Sequence, residues 1–251
     1  MSVLIPIATL MAVLQALPTG VTRGPSAKGI TEYRLANGLK VLLKPDYSLA
    51  GITVTMRYHV GTYDERQGER GIAHLLEHLA FTGTARHPRL RREITAHGAD
   101  VGASTGPEHT VFGMTVPPTM RALRWALDVE SDRMSRLSLD PNQFEAQRSI
   151  VLNEVGVGRA SLEARVRTAA FDVHPYGNHG QNTDVRRLTT TAVRTFYAQH
   201  YGADNAVLSI DGAFDEPATL EAVARTFAKA PRRGGQHHSA LPAMHGQRQP
   251  R

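Results

Sequence analysis

The 251-residue sequence predicts an α+β fold, with helices packed on a mostly antiparallel sheet. Three observations point there. Ala36-Asn37-Gly38 joins two short apolar alternations, and Asn-Gly in that setting is a strong hairpin signal. Segments 101–105 and 110–116 read as two further strands in direct succession. Other stretches repeat apolar residues at helical spacing; Met120, Leu123, Leu127, Met134 and Leu137 share one face.

Along the chain, residues 3–17 are strongly apolar and 22–29 form a linker rich in Gly, Pro, Ser and basic residues. Strands are expected at 31–35, 39–44 and 52–60. A charged loop, 61–71, delivers the chain to a helix beginning around Gly71-Ile72-Ala73, and 89–97 reads as another helix. After the strands at 101–105 and 110–116, Pro117-Pro118 opens a helix reaching about Leu137. Asp140 is an N-cap with Pro141 at the first helical position, and that helix runs past Glu154. A short buried strand at 206–210 ends at Asp211-Gly212, and 216–228 is a last amphipathic helix. From Pro231 the chain is rich in Arg, Gly, Gln, His and Pro and reads as disordered. The expected organisation is a signal-like segment and linker over 1–29, one domain over 30–231, and a basic tail over 232–251.

Apolar content of 41% and charged content of 21% suit a globular chain with a sizeable core. The absence of cysteine excludes a thiolate metal site, a cysteine nucleophile and a disulfide framework. Net charge is +6, but residues 230–251 hold four arginines and no acid, leaving +2 for the rest. No basic stripe with interleaved aromatics is present, so nucleic acid is not an expected partner. The apolar segment at 3–17 is too short to span a bilayer comfortably, and no firm membrane association is expected. It resembles the core of a secretory signal, which favours export to the periplasm or beyond. No Lys or Arg precedes it and no A-x-A site follows, so a short anchor, a misassigned start and a cytoplasmic location stay open.

His74-Leu75-Leu76-Glu77-His78 is the most informative stretch. It is an H-x-x-E-H motif, the inverted form of the zinc-peptidase pattern. On a helix, His74 and His78 lie about 40° apart, and Glu77 shares their face. Two imidazoles would meet one ion there, with a carboxylate placed to act on a water that the ion polarises. Two surface histidines on an amphipathic helix would show the same spacing, so a third ligand decides. Gln147, Ile150, Val151 and Glu154 recur at helical spacing, and Glu154 sits in the apolar run Ile150-Val151-Leu152-Asn153-Glu154-Val155. A lone carboxylate in an apolar setting is costly, and a cation removes that cost.

Taken together, His74-x-x-Glu77-His78 and Glu154, 76 positions later in Val-Leu-Asn-Glu, resemble the pitrilysin, insulysin and mitochondrial processing peptidase family of inverzincins. Further similarities follow in order: Tyr33-x-Leu35-x-Asn37-Gly38-Leu39, Gly61-Thr62-x-Asp64-Glu65, Thr105-x-x-Glu108-x-Thr110-x-Phe112, His174-Pro175-Tyr176-Gly177, and Tyr197-x-x-x-Tyr201-x-x-Asp204-Asn205-Ala206. The resemblance covers roughly 30–231. It implies a zinc endopeptidase domain holding one Zn2+ per chain through His74, His78 and Glu154, with Glu77 as general base. The substrate implied is a peptide or unfolded protein. The fold implied is the N-terminal catalytic half alone, completed by a homologous partner half or a homo-oligomer. A non-catalytic assembly subunit and a truncated fragment are the alternatives.

Two residues depart from the family pattern. Gln147 stands where a glutamate often lies, two turns before the ligand glutamate, so its support carries no charge. Gly102-Ala103 replaces Asn-Ala on the strand that pairs with substrate, which spares backbone pairing but removes one side chain. His59, His87, His97, His109, His179 and His200 show no ligand spacing and are expected at the surface or its boundary. Ser104 and Ser161 have no evident acid or base partner, and His237-His238 reads as part of a solvated tail.

Overall fold

The computed structural model describes residues 16–154, 166, 169–171 and 183–234. The apolar segment before residue 16, Ser161, His174-Pro175-Tyr176-Gly177, His179, the continuation of the helix past Glu154 and the tail from 235, with His237-His238, lie outside the described residues.

Among the described residues seven strands form one sheet: β1 (Val21–Ala27), β2 (Ile30–Leu35), β3 (Lys40–Pro45), β4 (Ile52–Tyr58), β5 (Asp100–Thr105), β6 (Thr110–Val116) and β7 (Ala206–Gly212). Their order is β1-β2-β3-β7-β4-β6-β5. Only β3 and β7 pair in parallel; every other neighbour is antiparallel. The sheet is therefore mostly antiparallel, as the sequence predicts. β5 closes it at one edge, and among the described residues no strand pairs with its outer side.

The described helices are α1 (Ile72–Leu79), α2 (Leu90–Ala96), α3 (Met120–Arg136), α4 (Pro141–Glu154), α5 (Thr190–His200) and α6 (Glu216–Phe227). Alternation decides which face of the sheet they cover. Val41, Leu43, Ile52, Val54, Met56, Tyr58, Phe112, Met114, Leu208 and Ile210 are buried, while their sequence neighbours on each strand are less so. α3 packs on β4, β6 and α6, and α1 lies against β5, α4 and α5. Asp140 caps α4 as expected, accepting from the Asn142 and Gln143 amides; Asp215 caps α6, accepting from Ala218, and α3 starts at Met120 with Thr119 as its cap. The hairpin residue Asn37 donates to the Phe227 and Ala230 carbonyls, which closes the C-terminal end of α6.

Three segments differ from expectation. Part of the linker read at 22–29 is strand β1, paired to β2. It is an edge strand with little burial, a register shift between Arg23 and Ser26 and a proline at position 25, so no apolar alternation marks it. α5 was absent from the expected elements; Val193, Phe196 and Tyr197 form its buried face. The start of the basic tail is anchored, because the Arg233 and Gly234 amides donate to Asp204 and the Arg233 guanidinium lies 4.4 Å from the centre of the Tyr197 ring.

Candidate metal centre

α1 is only eight residues long, and its direction is set by burial. Ile72, Ala73, Leu75, Leu76 and Leu79 face the core, which turns His74, Glu77 and His78 to the opposite side. Gly71, at its N-cap, has φ of 95°, a left-handed conformation that favours glycine. Glycine has no side chain with which to cap, and Glu65 serves instead. Its two carboxyl oxygens accept from Gly71 N–H at 3.0 Å and Ala73 N–H at 3.1 Å. Glu65 is buried, and burial pushes its carboxyl up to about 8 against those two bonds.

The loop carrying Glu65 is strapped to the β5–β6 turn: Thr62 N–H donates to the Gly106 carbonyl and Tyr63 N–H to that of Pro107. At Gly61 a Cβ would come within 2.3 Å of the Gly106 oxygen, so only glycine fits that approach. The other end of α1 meets a cation. Buried Arg133 donates from Nε to the Ala80 carbonyl at 3.2 Å. Its guanidinium pairs with buried Glu130 on the same helix and lies over the Phe81 and Phe112 rings. The guanidinium at the C-terminus matches the polarity of the helix dipole, while Glu65 acts at the N-terminus through its two hydrogen bonds.

α4 runs beside α1 and brings Glu154 to the two histidines. The Nε2 atoms of His74 and His78 lie 3.2 Å apart. Glu154 Oε2 lies 3.5 Å from the first and 3.2 Å from the second. Four ligands around zinc at about 2.0–2.1 Å stand about 3.3–3.4 Å from one another, so these three donors fit the corners of one tetrahedron. Among the described residues they form the group of His, Asp and Glu side chains close enough to share an ion. The setting of Glu154 differs from expectation: its side chain is 49% exposed. Val151 takes the buried face of α4, while Ile150, one turn before Glu154, points outward with it. The carboxylate is therefore solvated at the rim of the centre, and burial cost is not what calls for a cation.

Glu77 lies half-buried beside this cluster. Thr105, the last residue of β5, donates to its Oε2 at 2.5 Å. Burial raises the Glu77 carboxyl above its usual range, while the Thr105 bond and His78 oppose the shift. Gln147 is buried in α4, and its Oε1 has no hydrogen-bond partner among the described residues. At Gly102, on the open edge, a Cβ would meet nothing within 4 Å.

The remaining histidines stay outside the centre, with one correction. His87 is buried, held through Nδ1 by Glu93 at 2.6 Å and through Nε2 by Asp128 at 3.2 Å. Opposite nitrogens face the two carboxylates, so this is a structural tie between α2 and α3 and not a ligand set. His97 stacks on Trp125 at 4.0 Å, and His109 Nδ1 lies 3.1 Å from Arg57. Sequence reasoning did not single out Glu130 and Arg133. Their i,i+3 spacing on the apolar side of α3 was the available signal.

Residues 40–184 match the family described as Insulinase (Peptidase family M16), and residues 187–250 match Peptidase M16 inactive domain. The chain belongs to the insulinase family of peptidases, M16. It is 30% identical over 186 residues to cytochrome b-c1 complex subunit 1 of Rattus norvegicus, covering 71% of this chain and 38% of that one. It is 26% identical over 221 residues to mitochondrial-processing peptidase subunit beta of Blastocladiella emersonii, covering 85% of this chain and 47% of that one. The crystal structure of pitrilysin shares the fold with a TM-score of 0.76 at 24% identity, over 87% of this chain and 25% of that one. The chain thus spans less than half the length of these relatives.

Proposed function

We propose that this chain is the catalytic half of a zinc endopeptidase, with His74, His78 and Glu154 as ligands and Glu77 as general base. The observation that carries the proposal is the triangle of donor atoms, with sides of 3.2, 3.2 and 3.5 Å. Zinc bound there would supply a Lewis acid that makes a water nucleophilic near neutral pH. Glu77 would accept a proton as water oxygen bonds the peptide carbonyl carbon, and would return it to the amine nitrogen as the C–N bond breaks. Thr105 fixes the carboxylate for both transfers. A peptide or unfolded segment pairs along the open edge of β5, where backbone groups recognise it without regard to side chain. Relatives named as a processing-peptidase subunit and as a zinc protease support proteolysis.

A second homologous half, or a second copy of the chain, completes the substrate site in this reading. Relatives named as subunits of multi-chain complexes support a partner. The relative named as a subunit of the cytochrome b-c1 complex favours a second reading, an assembly subunit. The complete set of His74, Glu77, His78 and Glu154 favours the enzyme. Export remains part of the proposal, on the apolar segment at 3–17. The test is chelator-sensitive cleavage of an unstructured peptide, in the assembly that proves active, and its loss in Glu77→Gln with zinc retained. Near-normal cleavage by that variant would refute the assignment of the base.

A further inference from the structure

We propose that Glu65 is a positioning residue for the metal centre, holding His74 in place by capping the first turn of α1. The inference rests on the zinc reading above and deepens it. An isolated helix of eight residues is marginal in water, so α1 depends on what grips it. The first four N–H groups of a helix have no partner within it, and the first turn frays first. His74 stands in that turn. The amide of its neighbour Ala73 donates to Glu65 Oε1, and the amide of Gly71, at the N-cap, donates to Oε2. Both bonds are buried.

The carboxyl reaches this position because its loop is tied to the β5–β6 turn at Gly61, Thr62 and Tyr63. Glu65 therefore links the first turn of the ligand helix to the sheet. Zinc–donor distances in a sound site lie within about 0.2 Å of their standard values, so slack in this turn would spoil the triangle with His78 and Glu154. His78, in the second turn, is held by the core face and by Arg133 at Ala80, and it does not need Glu65.

The experiment measures zinc affinity by competition with a chromophoric chelator, and the d–d absorption of the Co2+-loaded protein. It compares wild type, Glu65→Ala, Glu65→Gln and Asp215→Ala. Asp215 caps α6 through the Ala218 amide and makes no contact with the centre, so its variant controls for loss of a helix cap as such. Glu65→Ala should bind zinc at least about tenfold more weakly and show altered Co2+ bands, the low end of what losing a support around a metal site costs. Glu65→Gln, whose amide oxygen still accepts one bond, should fall between it and wild type. Asp215→Ala should lose thermal stability and keep wild-type zinc affinity. Wild-type affinity and Co2+ spectrum in Glu65→Ala, or in Glu65→Gln if the alanine variant does not fold, would overturn the positioning role while leaving the metal site standing. Absence of zinc and Co2+ binding by wild type would remove both.

Discussion

Thr105 donates a 2.5 Å hydrogen bond to Glu77, and so joins the open edge strand to the face of α1 that carries the two histidines. The strand proposed to receive a peptide is thereby tied to the carboxylate proposed to act on it. Thr105→Val keeps the shape and removes the bond. A hydrogen bond to a charged group contributes about 1.5–3 kcal/mol, so cleavage should fall about 10- to 100-fold with zinc content unchanged. Thr105→Ser should stay near wild type. An unchanged kcat/KM in Thr105→Val would show that Glu77 needs no such partner.

Glu65 should make stability fall as pH rises. Its folded carboxyl is raised to about 8 from the usual 4.5, so between those values the folded chain holds a proton that the unfolded chain has lost. The contribution is fully present below 4.5 and is lost as pH rises through about 8. The slope is at most about 1.4 kcal/mol per pH unit. Urea unfolding of zinc-free protein from about pH 5 to about pH 9 checks this. The stability difference, wild type minus Glu65→Gln, should decline with pH and level off above about 8. A difference independent of pH would contradict the raised value.

Arg133 and Glu130 should behave as a unit. Both are buried, and removing one partner strands the charge of the other. Arg133→Met alone should cost about 3–5 kcal/mol in denaturant unfolding. Pairing it with Glu130→Gln should recover much of that loss, because no uncompensated charge remains. Strict additivity of the two substitutions would show that the pair is not coupled.

The pairing of His74 and His78 was legible because a four-residue spacing on a helix leaves them little choice of direction. Glu154 was legible through its distance and order along the chain, although the apolar setting expected for it was absent. Its neighbours Ile150 and Leu152 are apolar in sequence, yet among the described residues of that run only Val151 is fully buried. β1 was hidden because an edge strand with Pro25 and a bulge carries no periodicity to read. α5 had a usable pattern in Val193, Phe196 and Tyr197, but its residues were read only as landmarks. Glu65 and Arg133 act by closing the two ends of α1 from other parts of the chain. Such contacts are tertiary, and local pattern does not encode them.

The isolated chain should cleave peptides weakly or not at all. The described residues offer α1 and the β5 edge but no opposing wall, and positioning supplies a large share of rate enhancement. Addition of a homologous partner half should raise cleavage steeply, with a matching rise in mass by light scattering. Efficient cleavage by a strictly monomeric 251-residue chain would show that one half suffices.

The most direct test of the metal centre is zinc content by elemental analysis after exhaustive dialysis. Wild type should carry about one zinc per chain, as a three-ligand site implies. His74→Ala, His78→Ala and Glu154→Ala should each lose most of it, while Glu77→Gln keeps it. Full zinc retention in all three ligand variants would contradict the assignment.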